Sequence, residues 1–168
     1  IDSMLDVAKI DTQDLALQSE PVSLEYVLNK ASKECSEALE ERQLKVELGP
    51  EISKLPQVQG DSIALQKVFR HLLINAVKYT PDGGAIVLAG AEVAEEDTRF
   101  PQGGVEVIVT DTGIGIDPRY IDLIFTKFYQ TGDIDLHSSG KAKFKGGGPG
   151  LGLAIVRGIV AALEGKVW

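Results

Sequence analysis

Cysteine is almost missing from this chain: Cys35 is the only one among 168 residues. A single thiol excludes an intrachain disulfide framework and a zinc site built on several thiolates, and it fits a reduced, intracellular setting. Basic charge is also in deficit, with 17 Lys and Arg against 25 Asp and Glu and a formal net charge of −8. A surface of that sign repels a phosphate backbone, so nucleic acid is not an expected partner. ATP is not excluded, because its phosphates need only a few local donors and a cation. No apolar run reaches the roughly 18 residues of a membrane span, so direct membrane contact is not expected and a cytoplasmic location is, whether or not a parent protein is anchored. The chain lacks an initiator methionine and a signal-like leader and opens inside an apparent helix, so it reads as a piece of something longer. What remains, with 43% hydrophobic and 25% charged residues, is the composition of one globular domain.

Hydrophobic spacing predicts the elements. Ile1 to Lys9 carries a helical stripe of Ile1, Leu5 and Ala8, and Asp11 to Pro21 reads as a polar linker. Ser23 is placed to cap a single long helix from Leu24 to Arg42, with Val27, Leu28, Ala31, Cys35, Ala38 and Leu39 facing inward. Leu44 to Leu48 alternates as a half-buried strand, Gly49-Pro50 breaks it, and a short extended piece follows around Gln57 to Gln59. Asp61 caps a helix running to Tyr79 or Thr80, where Pro81-Asp82-Gly83-Gly84 stops it. Strands are expected at Ala85 to Val93 and Val105 to Thr110, joined by a solvated acidic hairpin end at Glu95-Glu96-Asp97. A short helix from Ile121 to Tyr129, a long mobile loop from Thr131 to Gly147, an amphipathic helix from Leu151 to Leu163 and the start of a strand at Lys166-Val167-Trp168 complete the reading. Hairpin connections beside helices favour an α+β, two-layer sandwich with helices on one face of a mixed sheet.

Three pieces carry chemistry. On the helix after Asp61, spacings of four and three put His71, Asn75 and Lys78 on one face, opposite the apolar stripe of Leu65, Phe69, Leu72, Leu73, Ala76 and Val77. An amide oxygen suits magnesium and a lysine suits phosphate, but a solvated polar face has the same pattern. Asp111 ends a strand and opens Asp111-Thr112-Gly113-Ile114-Gly115. Its carboxylate can accept from the exocyclic amine of adenine, and the glycines let backbone approach a ring; an ordinary strand-to-loop turn reads identically. The glycines from Gly146 to Gly152 precede the last helix, whose bare amides can hold an anion, or they form a hinge. The cluster is neither a Walker pattern nor a Rossmann fingerprint. Phe125 and Phe128, at i and i+3, share a face if helical, as core or as the anchored base of a lid. Lys141, Lys143 and Lys145 are either solvating charges or phosphate contacts of that lid.

The order of these pieces resembles the ATP-binding catalytic domain of sensor histidine kinases, within the superfamily shared with gyrase, chaperone and mismatch-repair ATPases. His71-Leu72-Leu73-Ile74-Asn75-Ala76-Val77-Lys78-Tyr79-Thr80 is similar to that family's asparagine box, and Asp111-Thr112-Gly113-Ile114-Gly115-Ile116 to its first glycine box. Ile124-Phe125-Thr126-Lys127-Phe128-Tyr129 resembles the phenylalanine box, and Gly148-Pro149-Gly150-Leu151-Gly152-Leu153-Ala154-Ile155-Val156 the second glycine box. The match covers about Val22 to Trp168. The resemblance implies a Bergerat-type fold, mixed and mostly antiparallel, with a mobile ATP lid, and ATP with Mg2+ as ligands. It implies Asn75 as the magnesium ligand, Asp111 as the adenine-reading carboxylate, and Tyr79 as a wall of the pocket. Lys78 and the Gly148, Gly150, Leu151 and Gly152 backbone would contact phosphate, and Gly113, Gly115, Ile116 and Phe128 would border the nucleotide.

The implied activity is transfer of the γ-phosphate to a histidine of a dimerisation and phosphoacceptor domain, feeding the receiver domain of a response regulator. Residues 1–20 then correspond to the end of a dimerisation helix and its linker, and residues 21–168 to a C-terminally truncated catalytic domain of a homodimeric parent. No His-Glu-x-x-Thr-Pro-like segment is present, and neither His71 nor His137 lies at a phosphoacceptor position. The chain is therefore expected to bind ATP without phosphorylating itself. Two residues depart from the family pattern. His71 stands where the family usually has asparagine and its ATPase relatives a glutamate base; it could act as a weak base near neutral pH, but lining the pocket or donating a hydrogen bond is the favoured expectation. Gln130 stands where an arginine is frequent, which removes a charge from the phosphates. Two rival readings follow: a degenerate nucleotide-binding or docking module, and a hydrolytic clamp of the gyrase or chaperone type, which lacks its glutamate.

Overall fold

The computed structural model describes residues 2–11, 15–129 and 150–168. The order of elements is α1 (Asp2–Asp11), β1 (Glu20–Val22), α2 (Leu24–Glu34), α3 (Ser36–Glu41), β2 (Lys45–Leu48), β3 (Val58–Gly60), α4 (Ser62–Tyr79), β4 (Ala85–Val93), β5 (Gly104–Asp111) and α5 (Gly152–Ala162), with single 3-10 turns at Ile52–Lys54 and Pro118–Tyr120. The expected α+β architecture is present, with a mixed sheet and helices against it. The main sheet runs β2-β4-β5, parallel in its first pair and antiparallel in its second, while β1 and β3 form a separate antiparallel pair. The parallel step from β2 to β4 needs a crossover, and α4 supplies it.

Alternation sets which strand residues face the helices. Ile86 and Leu88 of β4 are fully buried, and Val105, Val107 and Val109 of β5 pack against the same core. That core takes Val27, Leu28 and Ala31 from α2 and Phe69, Leu73, Ala76 and Val77 from α4. A second cluster joins Ala64 and Val68 of α4 to Leu151, Ile155, Val156 and Ile159 around α5. Helix α4 is thus apolar on two sides, toward the sheet and α2 and toward α5. Its start is fixed by Asp61, whose carboxylate accepts from the Ala64 N–H at 2.9 Å and from the Gln18 N–H at 2.9 Å. Helix α1 lies along α5, with Ile10 against Gly158, and an Asp6–Lys67 ion pair at 2.7 Å ties it to α4.

The structure corrects several expected elements. The helix from Leu24 to Arg42 is two helices, because the Cys35 N–H bonds to the Ser32 carbonyl at 3.1 Å and tightens the turn. The Ser23 cap stands, accepting from the Tyr26 N–H at 3.3 Å. Glu20 and Pro21, expected as linker, belong with Val22 to a strand that pairs with Val58–Gly60. Residues 121–129 are turns, not a helix: Leu123 and Thr126 donate three residues back, and Phe128 takes a left-handed φ of 61° that reverses the chain. The two phenylalanines consequently part company, Phe125 going into the interior and Phe128 standing 63% exposed. Residues 166–168 are not in a strand; the Lys166 Nζ donates to the Arg99 carbonyl near the β4–β5 connection. The loop expected from Thr131 to Gly147 lies outside the described residues.

Candidate functional site

Two convergences bring the chemistry-bearing pieces together. The first joins the middle of α4 to the opening of α5. A side chain built on Gly152 would place its first carbon 3.5 Å from His71 Nδ1 and 4.0 Å from the Asn75 side-chain oxygen, so the amide end of α5 looks directly onto these two residues. Among the described residues no side chain caps that end, and Leu151, buried in the second core, holds it in place. His71, Asn75, Lys78 and Tyr79 are all half-buried. The polar face of α4 is therefore not a solvated one.

The second convergence joins the carboxyl end of α4 to the turn after β5. The Tyr79 carbonyl accepts from the Ile114 N–H at 3.1 Å, and the Asp111 carboxylate accepts from the Gly113 N–H at 2.9 Å. A first side-chain carbon on Gly113 would sit 2.6 Å from the Tyr79 oxygen and would also overlap the Asp111 carboxylate, so only glycine fits there. Thr112 closes the base of the turn, exchanging bonds with Ala85: its N–H donates to the Ala85 carbonyl and its hydroxyl accepts from the Ala85 N–H, both at 3.0 Å. Asp111 and Ile116 remain exposed, and Gly115 has a φ of +70° with open space beside it. At the start of the α5 segment, the Phe128 N–H donates to the Gly150 carbonyl at 3.0 Å. Gly148, Gln130, His137 and the lysines at 141, 143 and 145 lie outside the described residues.

Electrostatics set the state of two groups. Burial, reinforced by the neighbouring Arg70 charge, pushes the His71 imidazole down from 6.5 to about 4, so it is neutral at pH 7. Burial also lowers the Lys78 ammonium from its ordinary value. Because the folded His71 pKa lies below the unfolded one, the unfolded chain takes up the proton first. The stability that neutral His71 contributes is whole above about pH 6.5 and drains away as the pH falls toward 4. Urea titrations at pH 7 and pH 4.5 should show His71→Asn losing less stability on acidification than the wild type, by on the order of 1–2 kcal/mol given the partial exposure of the ring.

Some residues of the site were missed from sequence. Arg42, 5% exposed, places its guanidinium under the carboxyl end of α4, donating to the Val77 carbonyl at 2.9 Å and the Thr80 carbonyl at 2.8 Å and pairing with Asp82. No periodicity marks it, because it sits at a helix end among charged residues. Thr80 is fully buried, and its hydroxyl has no hydrogen-bond partner among the described residues. An orphaned hydroxyl next to an aspartate-glycine turn suits a site that a polar ligand or its water completes.

The donor set also bears on a metal. Among the described residues no group of three or more His, Cys, Asp or Glu side chains is placed to hold an ion. The Asn75 amide oxygen alone fits a magnesium that keeps waters and arrives on phosphate oxygens.

The family model described as "Histidine kinase-, DNA gyrase B-, and HSP90-like ATPase" matches residues 60–168. The chain belongs to that family. Similar curated proteins include several named as sensor kinases. Phytochrome-like protein Cph1 of Synechocystis is 32% identical over 168 residues, 100% of this chain and 20% of that protein. Sensor histidine kinase CusS of Escherichia coli O157:H7 is 31% identical over 168 residues, 99% of this chain and 31% of that one. This histidine-kinase-type ATPase domain thus spans between a fifth and a third of the length of these relatives. Among solved structures, full-length ShkA in complex with AMPPNP superposes with a TM-score of 0.72 at 26% identity, covering 96% of this chain and 30% of that one. The mycobacterial sensor histidine kinase MprB gives 0.62 at 27% identity, covering 86% and 79%. Among the described residues of the ATPase domain no helix is long and apolar enough to cross a membrane.

Proposed function

We propose that this domain binds Mg-ATP in the cleft bounded by α4, the Asp111–Gly115 turn and the amide end of α5, and presents the γ-phosphate to a histidine on a dimerisation and phosphoacceptor domain. The observation that carries this reading is the placement of Gly152, at an uncapped helix start, against His71 and Asn75. Uncapped amides and the positive end of the α5 dipole favour the phosphates. Asn75 and phosphate oxygens would hold the magnesium, whose charge offsets that of the triphosphate. Asp111, fixed by the Gly113 N–H, would accept from the adenine amine, with Gly115 and Ile116 beside the ring and Tyr79 as a wall. Lys78 would meet a phosphate as a point charge. The complex of the similar ShkA with AMPPNP supports an adenine-nucleotide ligand.

Phosphoryl transfer relies mainly on positioning and charge, so a neutral His71 is a pocket wall or hydrogen-bonding group. An imidazole titrating near 4 is too weak a base to drive steady hydrolysis, which disfavours a gyrase-type clamp. Residues 1–20 would be the end of the dimerisation helix and linker and residues 21–168 the catalytic domain. A receiver domain of a response regulator would take the phosphate from a homodimeric parent whose kinase end lies in the cytoplasm.

Calorimetric titration with ATP, with and without magnesium, tests the pocket. The wild type should bind more tightly with the metal, and Asn75→Ala should lose most of that advantage, about tenfold or more. Equal affinity in the two proteins under both conditions would remove Asn75 from the site, and absence of binding would leave a docking module. Incubated with γ-labelled ATP, the chain should not label itself.

A further inference from the structure

Among the described residues Arg42 is the one buried charged side chain, and this reading does not use it. Its position is unusual: it lies on α3's end, far in sequence from the site, yet its side chain grips the end of α4 and its backbone the turn that follows. The Arg42 carbonyl accepts from the Gly83 N–H at 3.1 Å, and its guanidinium donates to the Val77 and Thr80 carbonyls while pairing with Asp82. The last carbonyls of a helix lack intrahelical partners, and a planar fork can serve two of them at once. Between Val77 and Thr80 lies Tyr79, whose carbonyl receives the Ile114 N–H and leaves no room for a side chain on Gly113. Gly113 in turn holds the Asp111 carboxylate. Orienting the Val77 and Thr80 peptides therefore orients the Tyr79 peptide, and with it the turn that aims Asp111.

We propose that Arg42 is a positioning residue for base recognition, acting through the Tyr79 carbonyl on the Gly113–Ile114 turn and so on Asp111. This rests on the assignment of Asp111 to adenine. It differs from simple buttressing in one respect: the effect falls on the base end of the ligand. His71 and Asn75 stand four or more residues before Tyr79, and Gly152 is on another helix, so they should keep their grip on phosphate; Lys78 lies within the gripped turn, but any loss there falls on ATP and GTP alike and leaves their ratio unchanged.

The test compares ATP with GTP binding in wild type, Arg42→Gln, Arg42→Lys and Asp82→Asn, at a temperature where circular dichroism shows each folded. The wild type should prefer ATP. Arg42→Gln should bind ATP about tenfold more weakly with GTP affinity changed less than about twofold, so the preference collapses. Arg42→Lys, lacking the fork, should restore it only in part. Asp82→Asn, altered at an exposed partner, should lower it about two- to threefold, and this variant decides if Arg42→Gln does not fold. An unchanged ATP-to-GTP ratio in the folded Arg42 variants, whatever their melting temperature, would overturn the positioning role alone. A wild type indifferent to the base would overturn the adenine assignment and this role with it.

Discussion

Asp111→Ala should weaken ATP binding about 100-fold while leaving the melting temperature within a few degrees of the wild type. A hydrogen bond from a neutral donor to a charged acceptor in a desolvated pocket contributes about 1.5–3 kcal/mol, which corresponds to roughly ten- to more than hundred-fold in affinity. The upper end applies because the adenine amine, once buried, has lost water and meets nothing in place of the carboxylate. The small stability cost has a structural reason. Asp111 is exposed, and its carboxylate is engaged with the Gly113 N–H two residues on, a local bond that water can replace. Isothermal calorimetry with ATP, beside a thermal melt, measures both. A loss of affinity under threefold in a folded protein would remove Asp111 from base recognition.

Gly113→Ala should be the more damaging change for the fold. The added methyl meets the Tyr79 oxygen at 2.6 Å and the Tyr79 carbonyl carbon at 3.1 Å, both backbone atoms held in the last turn of α4. Backbone cannot swing aside as a side-chain tip can, so the turn must move. Overpacking of this kind costs about 1–3 kcal/mol, readable as a lower urea midpoint at unchanged slope. Because relief displaces Asp111 and breaks the Ile114 to Tyr79 bond, ATP affinity should fall with stability. The contrast with Gly152 sharpens the expectation: a methyl there meets His71 Nδ1 at 3.5 Å, an ordinary contact. A Gly113→Ala domain with wild-type stability and wild-type ATP affinity would mean that the turn is not docked on Tyr79.

Much of the scaffold could be read from residue pattern alone. Asp61 followed by an apolar stripe placed α4 and its cap, and clean alternation from Leu44 to Leu48 placed β2. These signals are local: a cap bonds three residues on, and a strand's two faces are written in its own sequence. Most of what escaped depends on partners distant in the chain. The break at Cys35 has no glycine or proline to announce it. Glu20–Val22 is a strand only because Val58–Gly60 lies beside it. The 121–129 segment has helical apolar spacing, yet Phe128 reverses direction to bond Gly150. At the site, periodicity supplied the common face of His71, Asn75 and Lys78 but not what covers it. That the α5 amides face His71 and Asn75, and that Arg42 grips the end of the same helix, are tertiary facts.

The seat of Ile10 on Gly158 has a mechanical meaning. Two helices meet there with no side chain on one of them, so they approach closely, and a methyl on Gly158 would collide with Ile10. Six residues toward the amino end of the same helix stands Gly152, about 9 Å away along the axis. A push or twist delivered to α1 would travel down a solid rod, not through compliant loops, to the amides that face Asn75.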